Sequence, residues 1–266
     1  FYFFKIFKNI FVSLYLFLNG LIFSRALGIK KIPTDEIVFV DTFIVKDSLN
    51  KKGEFKDRYY SGIEDHLSSI EREKIWFFPT LVDLKNPLDF YRIFKLSKET
   101  NSNFLFEESF ISIKDFFHAM YSSVISFRKI KKIPNYNDLD ISALIKKESY
   151  KDIFAPSYQK PFYKFILIKK LKNYKIKIKG VINWFENQTI DRALVLGFKE
   201  YYPRIQIKGY QSYFFPKFDL HKNPTNIEIK RNTVPDDIYV ISKDSLKDRS
   251  KHFKHLNFKL APGLRF

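Results

Sequence analysis

The feature that most constrains the fold is a strand–helix–strand unit at Gly180–Ser212, GVINWFENQTIDRALVLGFKEYYPRIQIKGYQS. Its first apolar run predicts a strand that ends at Phe185. A stripe at helical spacing follows, formed by Leu194, Phe198 and Tyr201. Pro203 ends this helix, and the alternation at Ile205 and Ile207 begins a second strand. The arrangement is typical of parallel strands that are joined by a right-handed crossover.

The same alternation of short apolar strands and helices extends along most of the chain. Further strands are predicted at 35–45, 74–80, 102–109 and 236–242, with Pro79 expected to stop the second of them. Helices are predicted at 61–74, 87–101, 113–128, part of 136–156 and 159–174, with a loop at 133–137. The sequence therefore predicts an α/β fold with a Rossmann-like, mostly parallel sheet flanked by helices.

Composition limits the partners of the chain without identifying one. The 266 residues include 31 Phe and 16 Tyr, which is enough apolar area for a packed core. A net charge of +18 suits nucleic acid, an anionic membrane or phosphorylated substrates, and is equally typical of a lysine-rich solvated surface. Zinc-finger and RNA-binding motifs are absent, so we expect no nucleic acid partner. The lack of cysteine excludes disulfides and Cys-ligated metals, and it fits a cytoplasmic protein.

The opening segment at 1–34 is predicted to form an apolar and basic helix of its own. Its uncharged stretch at 9–23 is shorter than the roughly 18 residues expected of a membrane-spanning helix, and Lys5, Lys8 and Arg25 flank it. Three interpretations are open: a buried or interfacial helix, a short membrane anchor, and a signal peptide. The third lacks a small-residue cleavage site.

Two polar clusters follow the two strands of the Gly180–Ser212 unit. They are Glu186, Asn187 and Gln188 after the first strand, and Tyr210, Gln211 and Ser212 after the second. Gly209 precedes the second cluster, where glycine lets a backbone or a ligand approach closely. Because open α/β sheets bind ligands outside the carboxyl ends of their strands, we expect both clusters to open onto one cleft.

Other predicted strands also end in polar residues. Asp41 and Thr42 end the apolar run of the first strand, and Glu107 and Glu108 follow the run FLF. Carboxylates and amides pair well with hydroxyl groups, so this rim is predicted to bind a polyhydroxylated molecule. A carboxylate at such a rim can also act as a general base.

Structural alternatives stand beside these functional interpretations. Glu186 can instead cap the following helix or pair with Arg192, and Glu107–Glu108 is typical of a solvated loop. His252 and His255 have the spacing of a metal pair, but without a third ligand nearby we interpret them as surface residues. The chain has no GxGxxG, P-loop, GxSxG or HExxH motif, so most standard enzyme classes have no support.

The segment WFENQTIDRALVLGFKEYYPRIQIKGYQSYFFP, with VPDDIYVIS and FKLAPGLRF after it, resembles a known family. It is similar to the N-terminal lobe of bacterial capsule, O-antigen and lipopolysaccharide biosynthesis proteins that look like GT-B glycosyltransferases. The matching residues are Trp184, Glu186, Asn187, Gln188, Gly209, Tyr210, Gln211, Pro235 and Asp236. Phe185 is inserted into the first group, and Ser212 replaces the usual histidine of the second. The resemblance covers most of 37–266 and is specific over 184–212.

This resemblance implies a GT-B N-terminal-lobe type of fold. Residues 35–266 would form the acceptor-side lobe, cut before a C-terminal donor-binding lobe, since the chain starts at Phe1 and both ends look truncated. The implied reaction moves a sugar from a nucleotide-sugar co-substrate to a surface polysaccharide or a lipid-linked glycan acceptor. No metal and no tightly bound cofactor are implied. The location would be cytoplasmic, in peripheral contact with an anionic membrane at the inner face of the cell membrane.

The resemblance also implies roles for the rim residues. Glu186 would be the catalytic base or an acceptor clamp. The substrate-binding residues would be Asn187, Gln188, Tyr210, Gln211, Ser212, Asp41 and Glu107. Two other functions are open: a non-catalytic carbohydrate-binding or assembly subunit of the same pathway, and a basic nucleic-acid-binding α/β protein that only the charge favours.

Overall fold

A computed structural model describes residues 2–29, 31–50, 54–128, 139–212 and 222–264. Within these residues the strands are β1 Ile37–Ile44, β2 Ile75–Leu81, β3 Asn103–Phe104, β4 Ile178–Trp184, β5 Ile207–Gln211, β6 Asp237–Val240 and β7 Phe258–Leu260. Each pairing between neighbouring strands is parallel. The predicted α/β fold with a Rossmann-like parallel sheet is therefore confirmed. The loop predicted at 133–137 lies outside the described residues.

The strand order is β3-β2-β1-β4-β5-β6-β7. The chain first builds outward from β1 to β3 and then crosses back to add β4 on the other side of β1. Connections on the two sides of β1 therefore leave the sheet in opposite directions, and a crevice opens between β1 and β4. In sheets of this order that crevice is where ligands bind.

Helices cover both faces of the sheet. They are α1 Tyr2–Ala26, α2 Ser69–Lys74, α3 Pro87–Glu99, α4 Ile113–Arg128, α5 Ser142–Asp152, α6 Pro156–Asn173, α7 Thr189–Tyr201, α8 Asn226–Lys230 and α9 Lys243–His252. Helices α6 and α7 pack on one face, and α3 packs on the other. The core is accordingly split into two apolar layers by the sheet.

Successive residues of β1 point into these two layers, as the period of a strand requires. Phe39 stacks on Phe78 with ring centroids 3.7 Å apart and meets the edge of Phe198 of α7. Its neighbour Val40 is fully buried in the opposite layer, together with Phe94 of α3. A strand that is buried on both sides has a nearly continuous apolar sequence, and this pattern predicts β1.

Pro79 does not stop β2, because the strand continues to Leu81. The carbonyl oxygen of Phe77 accepts a hydrogen bond from the backbone N–H of Leu105 on the β3 side. Pro79 lies two residues later in the strand, so its backbone nitrogen points to the same side. Strand β3 ends at Phe104. The missing N–H of Pro79 therefore falls beyond the end of β3, where no ladder hydrogen bond is lost.

The helix predicted at 61–74 is broken into two pieces. A 3-10 turn at Ile63–His66 is followed by α2, and Ser68 between them has extended backbone. The Ser68 side chain and that of Glu71 form a reciprocal capping box, which fixes the start of α2. Apolar spacing alone did not reveal this break.

Helix α1 is longer than its uncharged stretch indicated. Over Phe4–Ala26 it is long and apolar enough to cross a membrane by length and composition, with a mean hydropathy of 1.7. One side of it packs on the rest of the chain: Ser13 Oγ donates to the carbonyl of Phe154 at 2.7 Å, and Phe17 lies 4.9 Å from Phe116. The other side exposes Phe4, Phe7, Phe11 and Ile22.

Candidate functional site

A cleft of about 910 Å³ lies at the carboxyl end of the sheet, at the point where the strand order reverses. We call it the outer cleft. The ends of β1 and β2, the turn before α7 and the starts of α6 and α8 enclose it. Its polar lining includes Thr80, Asp83, Lys160, Asn187, Gln188 and Arg192. The cleft is large enough for a sugar-sized ligand.

The backbone turns sharply at two places on the lip of the outer cleft. Asp83 after β2 and Asn187 after β4 both have left-handed conformations, with φ of 58° at each. Asn and Asp tolerate this region better than other residues with a Cβ. The two turns bring the segments that follow β2 and β4 into the wall of one cavity.

Glu186, the predicted catalytic residue, is buried beside the cleft and does not line it. Its carboxylate accepts hydrogen bonds from Trp184 Nε1 at 2.8 Å, Gln188 Nε2 at 2.8 Å and Lys222 Nζ at 2.6 Å. Glu186 pairs with Lys222 and not with Arg192, which was the structural alternative to a catalytic role; Arg192 pairs with Glu228. Glu186 thus joins β4, the cap of α7 and the segment before α8.

Asp191 fixes the entry into α7. Its Oδ2 accepts the backbone N–H groups of Glu186 at 2.9 Å and Gln188 at 3.0 Å. The N-cap residue is Gln188, and Thr189 is the first residue of the helix. Burial first, and the nearby charge of Asp41 second, raise the pKa of Asp191 to about 8, although the two N–H groups oppose this.

The two hydrogen bonds of Asp191 give a test of this corner. Both N–H groups donate to one oxygen, so the amide oxygen of Asp191→Asn is expected to keep them. Asp191→Ala loses both and should lower the free energy of unfolding by about 2 kcal/mol. Urea unfolding followed by tryptophan fluorescence measures the difference.

The pH dependence of the same variants has a defined sign. Folded Asp191 holds a proton up to about pH 8, whereas the unfolded chain loses it near pH 4. The folded state therefore binds more protons between these values, and stability falls as pH rises across this window. The free energy of unfolding of Asp191→Asn should fall less than that of the wild type over the same pH window. Parallel curves for the two proteins would contradict the assignment.

The second polar cluster lies next to the first but does not line the outer cleft. Trp184 of β4 pairs with Tyr210 of β5, so the predicted adjacency of the two strands is right. Tyr210 Oη donates to the carbonyl of Pro262 at 2.7 Å, and Gln211 Oε1 accepts from Arg249 at 2.5 Å. Ser212 is fully buried. The expectation of a common cleft for both clusters is therefore corrected for Tyr210, Gln211 and Ser212.

Gly209 does allow a close approach, but the neighbour is protein. A Cβ at this position would lie 2.7 Å from Pro235 Cγ and 3.0 Å from Phe185 Cβ. The glycine is needed because the side chains of Pro235 and Phe185 pack directly over β5. The sequence correctly indicated crowding at Gly209 and could not name what crowds it.

Asp41 is not at the rim, which corrects its prediction as a substrate-binding residue of the lip. It lies inside β1, which continues to Ile44, and it is 4% exposed. Its carboxylate accepts from Lys164 Nζ at 3.2 Å and Asn183 Nδ2 at 2.9 Å. Both donors are themselves buried. The strand continues through Asp41 because these partners compensate the buried charge.

Glu107 and Glu108 are not a solvated loop. They form the 3-10 turn Glu107–Ser109, and Glu107 is 2% exposed. Lys160 Nζ of α6 lies 2.6 Å from Glu107 Oε1 and 3.7 Å from Glu108 Oε1. Glu107 does not line the outer cleft, but its partner Lys160 does. Burial, with Glu107 in support, raises the pKa of Glu108 to about 7 against the opposing charge of Lys160.

Several cleft residues were missed by the sequence analysis. They are Thr80, Asp83, Lys160, Arg192, Asn223 and Thr225. Thr80 is the second-last residue of β2, and Asp83 lies two residues after its end. The rule that selected the other rim residues finds both once Pro79 is not taken as the end of the strand. Lys160 and Arg192 lie within helices, and no local pattern distinguishes them from surface cations.

The structure gives no support to a metal site in the part of the chain that it describes. No group of three or more His, Cys, Asp or Glu side chains is arranged to hold an ion there. His252 is about half exposed and lies 3.5 Å from Asp248 one turn earlier. The pair at His252 and His255 remains interpreted as surface.

The comparisons with known proteins add no assignment. No family model matches the chain, and no curated protein matches it. A solved structure described as O-ureido-L-serine synthase is similar with a TM-score of 0.26 and 10% sequence identity. The match covers 92% of this chain and 68% of that chain. A likeness this weak has no bearing on function.

Proposed function

We propose that the chain is the acceptor-side lobe of a GT-B-like glycosyltransferase that builds a surface polysaccharide. The observation that supports this most is the outer cleft, a cavity at the switch point lined by amide, hydroxyl and charged side chains. Crevices in this position bind the ligands of open α/β sheets. The resemblance at 184–212 suggests that the ligand is a sugar acceptor.

The lining chemistry suits a molecule that carries several hydroxyl groups. Asn187 and Gln188 supply amides, which donate and accept hydrogen bonds. Thr80 Oγ1 and Arg192 Nε are buried without a partner among the described residues. A bound ligand, after small shifts of these side chains, would supply the hydrogen bonds that they lack.

We assign the general base to Asp83 rather than to Glu186. Asp83 lines the cleft, is exposed, and makes no hydrogen bond or ion pair with the described residues. Its carboxylate can therefore accept the proton of an attacking acceptor hydroxyl. The carboxylate of Glu186 already receives three donors, so Glu186 positions Gln188 instead.

The outward side of α1 supports a location at the inner face of the cell membrane. Phe4 and Phe11 are 77% and 68% exposed, and Lys5 and Lys8 lie beside them. Since the other side of α1 packs on the rest of the chain, a helix lying in the membrane interface fits better than one that spans the bilayer. The net charge of +18 favours anionic lipids.

A second candidate is a carbohydrate-binding subunit without transfer activity. The observation that favours it is the engagement of Glu186, the carboxylate that the resemblance makes catalytic: it is held by three donors and does not line the cleft. In that case the cleft would bind a glycan, and a separate protein would bind the nucleotide-sugar.

The two candidates are separated by measuring binding and transfer in membranes with the full-length protein, which under the first candidate carries a donor-binding lobe. We expect Asp83→Asn to lower release of nucleoside diphosphate from a nucleotide-sugar by about 100-fold, with oligosaccharide binding changed less than about threefold. Asn187→Ala with Gln188→Ala should weaken oligosaccharide binding by about tenfold or more.

Asp35→Asn is the matched control, because Asp35 is exposed at the opposite end of β1. It should leave both binding and release unchanged. Oligosaccharide binding without nucleotide release in the wild type would favour the carbohydrate-binding subunit. If no oligosaccharide binds and no nucleotide is released, both candidates are wrong.

A further inference from the structure

A smaller cavity of about 90 Å³ lies behind the outer cleft, and we call it the inner pocket. Helix α1, the turn Glu107–Ser109 and helix α6 enclose it. Leu16, Asp83 and Lys160 line both the inner pocket and the outer cleft. The two cavities therefore share a wall, and a group on a molecule in the outer cleft is close to the inner pocket.

Gln159 places a hydrogen-bond acceptor in the wall of this pocket. It is fully buried, and its Nε2 donates to Ser123 Oγ at 2.9 Å and to the carbonyl of Ile153 at 3.1 Å. Ser123 Oγ uses its own hydrogen on the carbonyl of Ala119, so it accepts from Gln159. This fixes the amide orientation. Gln159 Oε1 then has no partner among the described residues.

Two carboxylates add further acceptors. Glu107 Oε2 and Glu108 Oε2 are also buried without a partner in the described part of the chain. Among the residues that the structure describes, Lys160 is the cation within ion-pair distance of these carboxylates. With both carboxylates ionised, the three charges sum to minus one. Burial first, with a contribution from the charge of Glu107, raises the pKa of Glu108 to about 7.

The hydroxyl of Tyr163 completes the polar lining. It is buried and has no partner among the described residues. Burial, and then the charge of Glu107, raise the pKa of Tyr163, so the phenol stays protonated. The pocket thus combines three unpaired acceptors with one hydroxyl and an uncompensated negative charge. An anion is disfavoured, and the complementary group carries several N–H donors and a positive charge.

We propose that the inner pocket is a binding site for a primary ammonium group. Three N–H donors on one nitrogen match Gln159 Oε1, Glu107 Oε2 and Glu108 Oε2. The volume of about 90 Å³ accepts a group of this size and excludes a whole sugar ring. The charge of the ammonium would offset the excess negative charge of Glu107 and Glu108 over Lys160.

The source of the ammonium rests on the proposed function. If the outer cleft holds a sugar acceptor, that acceptor carries a free amine that enters the inner pocket through the shared wall. The substrate class is then an amino sugar or an amine-substituted glycan. The inner pocket itself does not depend on this identification.

The first experiment probes the pocket alone, with methylammonium chloride and the full chain. We expect methylammonium to raise the unfolding temperature by about 2–4 °C relative to sodium chloride and tetramethylammonium chloride at equal ionic strength. Tetramethylammonium has no N–H donor, and sodium tests for a general cation effect. Glu108→Gln should abolish the shift, and Tyr163→Phe should reduce it.

Glu73→Gln is the matched control, because Glu73 is an exposed glutamate that lines neither cavity. It should keep the full shift. Three results would each overturn the proposal. They are equal shifts of the unfolding temperature in all three salts, a shift that survives in Glu108→Gln, and no shift in the wild type. Tyr163→Phe removes one oxygen atom, so it keeps the test usable if Glu108→Gln does not fold.

The second experiment separates this inference from the proposed function. Glucosamine should bind the wild type about tenfold more tightly than glucose, and Glu108→Gln should bring the two affinities within about twofold. If methylammonium binds and neither sugar does, the inner pocket stands and the sugar function is wrong. If both sugars bind equally well and methylammonium does not bind, the sugar function stands and the ammonium site is wrong.

Discussion

Replacing Lys164 with methionine is expected to lower the free energy of unfolding by about 3–5 kcal/mol. Lys164 is 1% exposed and lies 3.2 Å from the carboxylate of Asp41 in β1. Without the ammonium, Asp41 keeps a hydrogen bond from Asn183 and remains a buried charge without a counter-ion. Urea unfolding, followed by the fluorescence of the buried Trp76 and Trp184, measures the loss.

The loss should be larger at pH 8 than at pH 5. Burial already raises the pKa of Asp41 despite Lys164, and removing Lys164 raises it further. The folded variant then holds a proton that the unfolded chain releases above about pH 4, so its stability falls as pH rises. At pH 5 Asp41 of the variant is protonated and neutral, so the loss of Lys164 lowers the free energy of unfolding by less.

Two variants control this experiment. Lys169→Met alters an exposed lysine of the same helix and should change stability by less than about 0.5 kcal/mol. Asp41→Asn combined with Lys164→Met removes both charges and should recover most of the stability. A double variant as unstable as Lys164→Met would contradict the view that the unpaired charge causes the loss.

Glu186→Gln is expected to weaken both the fold and ligand binding. A glutamine turns one accepting oxygen into a donor, and it removes the carboxylate that Lys222, which is 7% exposed, contacts at 2.6 Å. We expect the free energy of unfolding to fall by about 2–4 kcal/mol. Oligosaccharide binding should weaken as well, because Gln188 loses the hydrogen bond that holds it at the cleft.

This result differs from that expected of a catalytic base. A catalytic base at Glu186 could be neutralised with little change in the free energy of unfolding. Adding Lys222→Met to Glu186→Gln should recover part of the stability, whereas the exposed Glu200→Gln on α7 should change nothing. Glu186→Gln and the wild type can also have the same urea midpoint of unfolding while the variant loses transfer activity. In that case Glu186 is the base and Asp83 is not.

Part of the cleft was readable from local sequence. Asn187 and Gln188 were found because a buried strand, a polar corner and an amphipathic helix follow one another without a gap. The period of a strand could also have separated Tyr210 from Gln211, since consecutive residues of a strand face opposite sides of the sheet. The prediction assigns Tyr210 and Gln211 to one cleft. In the structure Tyr210 bonds to the carbonyl of Pro262, whereas Gln211 bonds to Arg249.

The sequence by itself determined the α/β class, the parallel pairing of β4 with β5 and the corner at Asn187–Gln188. Each of these follows from hydrophobic periodicity and helix capping, which act over a few residues. Only the tertiary structure decided that Asp41 meets Lys164, that Glu107 meets Lys160, and that the ends of β1 and β2 and the turn before α7 enclose the outer cleft. These contacts join residues far apart in the chain. A lysine that will be buried beside a carboxylate has the same local sequence pattern as one that will face water.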